Sequence, residues 1–196
     1  MGEIKSAREI AEEKLKKIGD VTEEERLSWK YVPEGERLAA RYLKDGCNLS
    51  TELGAYEEKA RQHVARRARE ILVRNINLPV NDAATITNKK AMEGLSSLIK
   101  DKAATENIFS NLRRIFDHYT GQGKQQMQQA YETLKAEFTD RVQQAMQQQM
   151  GTSSNGAIDI ERQPEFRQEW QRLQAQMEGQ YTNILAENKR ALLELS

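Results

Sequence analysis

The sequence predicts an all-α protein, with several amino-terminal helices followed by a long carboxy-terminal antiparallel helical hairpin, elongated or coiled-coil-like. Three observations predict it. Hydrophobic residues make up only 38% of the chain and charged residues 31%, whereas an average soluble domain has about 45–50% apolar and about 25% charged residues. Glu, Lys, Arg, Gln, Ala and Leu abound beside only three prolines, and most of these unbranched side chains lose little rotamer freedom in a helix. Finally, the apolar residues recur at helical spacing, so a scarce core supply is laid out as narrow stripes on long helices.

The opening "EIKSAREIAEEKLKKIG" spaces Ile4, Ala7, Ala11, Leu15 and Ile18 along one helical face and stops at Gly19. Glu12–Lys16 and Glu13–Lys17 are i,i+4 pairs in the favourable order. Thr22 then stands three residues before Glu25, a capping box for a short helix carrying Leu27 and Trp29. Pro33 predicts a restart, with Leu38, Tyr42 and Leu43 on the apolar side and Gly46 as the stop. This first quarter, "MGEIKSAREIAEEKLKKIG" and "TEEERLSWKYVPEGERLAARYL", resembles a group of small helical bacterial proteins of unknown function that open with Glu-Ile-Lys-Ser. The resemblance implies a bacterial cytoplasmic protein and carries no site residue to transfer.

From Ser50 to Arg74 a longer helix is expected, with Leu53, Tyr56, Ala60, Val64 and Ile71 on one face. "NINLPVND" interrupts it, and Asp82 can cap the next helix. Residues 83–119 form one long helix or two, with "TGQG" ending the segment at Gly121 and Gly123. The glutamine-rich run after it is not low complexity. Met127, Tyr131, Leu134, Phe138, Val142 and Ala145 recur at steps of four, three, four, four and three, a pattern that defines a helix face. After the loop "GTSSNG", Pro164 starts a last helix in which Phe166, Trp170, Leu173, Met177, Tyr181 and Ile184 repeat those steps. The two series are offset by 39 residues, Tyr131 matching Trp170 and Leu134 matching Leu173. A pattern closing after eleven residues favours nearly straight or slightly right-handed pairing. The organisation read from these breaks is 1–78, an amino-terminal helical region; 79–121, a central helix or helix pair; and 122–196, the hairpin.

Thirty basic and thirty acidic residues leave no net charge, so no long-range field draws the chain toward nucleic acid or anionic lipid. No apolar run approaches the roughly 20 residues that span a bilayer, and the expected setting is soluble, cytoplasmic and without membrane. "MGEIKS" fits the loose amino-terminal myristoylation pattern, although Glu3 is an unfavourable neighbour. The single cysteine, Cys47, reads as a reduced thiol.

Chemistry has few candidates. "TGQGK" lacks both the earlier glycine and the following hydroxyl of a phosphate loop, since His118 and Gln125 hold those positions. Ala60 and Ile115 stand where a Glu-x-x-His metal motif would need glutamates before His63 and His118. No catalytic residue, metal or cofactor is expected. Trp29, Tyr31, Tyr42, Trp170 and Tyr181 read as anchors of a thin core. Lys59, Arg66 and Arg69 lie opposite the apolar stripe of "KARQHVARRAREILVR" and are the residues for an alternative reading, a nucleic-acid-associated helical protein. Glu57 and Glu70 can pair with Arg61 and Arg74, which makes a solvated face the better reading and nucleic acid an unlikely partner. The leading expectation is a non-enzymatic helical scaffold that forms a homo-oligomer or packs on a helical partner. Its seam comprises Met127, Tyr131, Leu134, Phe138, Val142, Phe166, Trp170, Leu173, Met177, Tyr181 and Ile184.

Overall fold

A computed structural model describes residues 22–150 and 159–195, with the side chains of 149 and 150 left aside. The expected helix over 4–18, its Gly19 stop, the myristoylation pattern and the "GTSSNG" loop lie outside the described residues. The protein is all-α: among the described residues there is no strand, and the helices are α1 (Glu23–Asp45), α2 (Leu49–Gly54), α3 (Glu58–Arg74), α4 (Asp82–Leu98), α5 (Lys102–His118), α6 (Lys124–Met150) and α7 (Pro164–Glu194). The described residues sort into two compact units, one within 22–75 and 90–98, the other within 76–89, 99–150 and 159–195.

The first unit is built on the pairing of α1 with α3. The Thr22 hydroxyl accepts from the Glu25 N–H at 3.2 Å and the Glu25 carboxylate accepts from the Thr22 N–H at 2.9 Å, closing the expected capping box. These bonds hold the exposed Glu25 carboxyl below its usual value. A depressed value means that the cap's contribution is present above the ordinary carboxylate range and lost as pH falls through the folded one. The melting difference between wild type and Glu25→Ala is therefore expected to shrink between about pH 6 and about pH 3; a constant difference would remove the cap from the account. At the other end Gly46, at φ 74°, sends its N–H to the Tyr42 carbonyl, a left-handed stop.

Between these ends α1 corrects the expected break at Pro33, which lies inside one continuous helix. Packing is the reason. Gly35 sits directly over α3, so close that a Cβ there would stand 2.6 Å from the Val64 carbonyl oxygen and 2.6 Å from Arg67 Cβ. Leu38 and Ala39 are buried on the same helix, and Arg67 bridges to Glu36. Trp29 corrects a second expectation: it is 66% exposed and anchors no core.

The single helix expected over 50–74 is two. Asn48 caps α2, accepting from the Thr51 N–H at 3.0 Å, and α2 ends at Gly54. Arg61 reaches back to the carbonyls of Leu53 and Tyr56 at 3.1 and 3.0 Å, satisfying acceptors freed by the break. Tyr56 meets Tyr31 edge to face at 6.1 Å. The second half of α4 completes this unit: Tyr42 donates to the Lys90 carbonyl at 3.1 Å and Lys90 Nζ to the Leu43 carbonyl at 2.9 Å.

The second unit opens with the segment before α4. Asn81 rather than Asp82 caps that helix, its side chain accepting from the Ala84 N–H at 2.9 Å. The buried Asn88 amide clamps the same segment, accepting from the Asn77 N–H at 2.8 Å and donating to the Asn77 carbonyl at 2.6 Å. Asn88→Leu keeps the size but strips both bonds, and is expected to cost about 2 kcal/mol in thermal unfolding; an unchanged midpoint would show that the clamp is not needed. Residues 83–119 resolve into α4 and α5, because Asp101 accepts from the Ala104 N–H at 2.9 Å and starts a new helix.

The expected stop at "TGQG" does not occur. Residues Tyr119–Gly123 form a π-helical turn that carries α5 directly into α6. Gly123 is there for approach rather than termination: a Cβ would stand 2.7 Å from the Tyr181 hydroxyl oxygen on α7. One extra residue in the turn rotates α6 relative to α5, and such turns often sit at functional positions.

Candidate functional site

The carboxy-terminal seam gathers most of the residues that the sequence singles out. Leu134 and Phe138 of α6 are buried with Phe166 of α7 and with Ile160, which the short 3-10 turn Ile160–Arg162 places on the cluster. Tyr131, Val142, Trp170 and Leu173 pack around them half-buried. Rings interlock edge to face: Tyr131 with Trp170 at 5.0 Å, Tyr131 with Phe166 at 5.7 Å and Phe138 with Phe166 at 5.4 Å. The Arg141 guanidinium lies 4.2 Å over the Phe138 ring, and Lys135 bonds Glu161 at 2.7 Å. That bond holds the exposed Glu161 carboxyl low and the Lys135 ammonium high.

Farther along α7 the partners run in the opposite order to α6. Tyr181, buried, meets Tyr119 edge to face at 5.2 Å, and its hydroxyl lies 2.8 Å from His118 Nδ1. Tyr119 donates to Glu178 at 3.2 Å, and burial followed by the Glu178 charge pushes its phenol up. Of the remaining candidates, Met127 and Met177 are half-buried, while Ile184 is 43% exposed.

Ile184 borders a feature that the sequence does not disclose. Beyond the π turn, α5 and α7 frame an open groove of about 750 Å³ whose walls include Asn111, Arg114 and Ile115 on one side and Ile184, Glu187 and Asn188 on the other. Asn111, Arg114 and Glu187 are exposed and Ile115 and Asn188 half-buried. Its trace in the sequence is the continuation of the seam steps beyond Ile184 and their mirror on α5, ahead of "TGQG".

The Arg-rich helix is α3. Lys59 pairs with Glu23 at 3.2 Å and Arg66 with Glu70 at 3.4 Å. Arg69 is half-buried, and burial pulls its guanidinium below the usual value. Glu70 engages Arg66 and Arg67, and Arg61 engages Glu58 at 3.4 Å. Carboxylates thus neutralise much of this face locally.

Among the described residues no group of three His, Cys, Asp or Glu side chains is placed to hold a metal ion. No helix there is long and apolar enough to cross a membrane. No curated protein and no solved structure matches the chain. A family model covers residues 50–194, beginning after the stretch that carried the amino-terminal resemblance and, like it, attaching no activity. The chain belongs to that family, a family of unknown function (DUF6657).

Proposed function

We propose that this protein is a non-enzymatic helical scaffold that works by protein–protein contact, self-associating through the flank of its carboxy-terminal helices. One observation carries the reading: α7 runs from Pro164 to Glu194, yet buries only Phe166, Tyr181, Leu185 and Leu192. Trp170, Leu173 and Met177 remain half-covered and Ile184 open. Covering large apolar side chains is worth about 1.5–3 kcal/mol each relative to full exposure, so a second helical layer has a substantial gain to make. The glutamines around them support the reading too, because uncharged amides can bond across helices without the desolvation cost of ions. The setting we infer is the cytoplasm of a bacterium, on the opening-sequence resemblance and on the half-buried lone thiol Cys47.

Size-exclusion chromatography with light scattering is expected to return a mass that rises with concentration to at least about twice the 22.5 kDa of one chain. A single species of 22.5 kDa at every concentration would remove self-association.

A further inference from the structure

We infer that the groove between α5 and α7 is the surface on which two copies meet, a proposal that deepens the scaffold reading and rests on it. The groove is self-complementary. The hydrogen bond between His118 and Tyr181 sets the level at which the two helices pair, and they run in opposite directions: Tyr119 bonds Glu178, before Tyr181 on α7, while His118 bonds Tyr181 itself.

Counting away from that bond at about 1.5 Å per residue, Ile115 and Ile184 each lie three residues on, at one level. Asn111 and Asn188 each lie seven residues on, again at one level. Arg114 lies four residues, about 6 Å, from His118, and Glu187 six residues, about 9 Å, from Tyr181. All six side chains line the groove. Its walls therefore present the same ladder: an isoleucine, an amide, and between them a cation on α5 facing an anion on α7.

A two-fold axis along the groove lays α5 of one copy on α7 of the other. Ile115 then stacks on the second copy's Ile184, Asn111 bonds its Asn188, Arg114 meets its Glu187, and the operation repeats every contact in reverse. Such an isologous match is what a closed dimer requires. The steps of four and three on α5, and of three and four on α7, are those of helices that interlock by knobs into holes, and a buried amide layer fixes register in such bundles. A different protein would need to carry this ladder; a second copy carries it already.

The test uses two full-length variants, Arg114→Glu and Glu187→Arg, each checked for unchanged helicity by circular dichroism. Alone, each places like charges opposite each other twice, and self-association should weaken at least about tenfold. Mixed, the two variants restore both opposite-charge pairs, so light scattering should show a one-to-one dimer at wild-type concentrations. Ile184→Arg should weaken association whether alone or mixed. If the wild type dimerises but both charge variants associate as it does, or if mixing fails to rescue them, the groove is not the interface while the scaffold reading stands. A wild-type chain that is monomeric throughout overturns both.

Discussion

Gly35→Ala is expected to destabilise the protein by about 3 kcal/mol, lowering its melting temperature by roughly 10 °C. The sign is the informative part. Gly35 lies inside α1, where helix propensity alone would reward alanine by about 1 kcal/mol. The added methyl, however, would stand 2.6 Å from the Val64 carbonyl oxygen, 2.6 Å from Arg67 Cβ and 3.2 Å from the Ala68 N. Two of these are backbone atoms and the third is bonded to backbone, so no side-chain rotation relieves the clash. The helices must separate, and Leu38, Ala39, Val64 and Ala68, all nearly inaccessible to water, lose contact area together. Thermal unfolding followed by the helical circular-dichroism signal decides it: a variant as stable as wild type, or more so, would mean that α1 and α3 do not approach so closely.

Phe109→Ala should cost more, about 4 kcal/mol. Among the described residues Phe109 is the bulkiest of the fully buried side chains, and it shares the inner face of α5 with Thr105 and Leu112. Removing the ring forfeits its transfer from water and leaves a void that a tightly packed neighbourhood fills only in part. Phe109→Leu, which retains most of the volume, should lose no more than about 1.5 kcal/mol. Chemical denaturation separates the two variants by their midpoints. Equal losses would show that the site collapses freely, and that the second unit is not held by a well-packed core.

Local signals were readable from the chain and nonlocal ones were not. The Thr22–Glu25 box and the Gly46 stop involve groups a few residues apart, so sequence spacing nearly determines their geometry. The apolar stripes of α6 and α7 were legible from their steps, whereas which ring meets which, Tyr131 with Trp170 and Phe138 with Phe166, was set by packing. Pro33 and the "TGQG" glycines misled because each is a signal to break a helix whose force is set by its surroundings. An interior proline costs about 3 kcal/mol, a sum that packing of α1 along α3 can outweigh. Gly121 and Gly123 lower helix propensity, yet Gly123 is what lets the Tyr181 hydroxyl reach the π turn.

The groove illustrates the same division. Ile184 was visible as the last residue of its stripe, but Asn111, Arg114, Ile115, Glu187 and Asn188 become neighbours only once α5 continues into α6 and α7 folds back along both. By itself the sequence determined the all-helical class, the Thr22 and Gly46 caps of α1 and the two stripes, because these depend on propensity, periodicity and contacts within a turn or two. Only the tertiary structure decided that α1 runs through its proline, that 50–74 splits, that α5 and α6 join through a π turn and that a groove opens beside it. Each of those outcomes is a competition between a local preference of a few kcal/mol and the burial of side chains far apart in the chain.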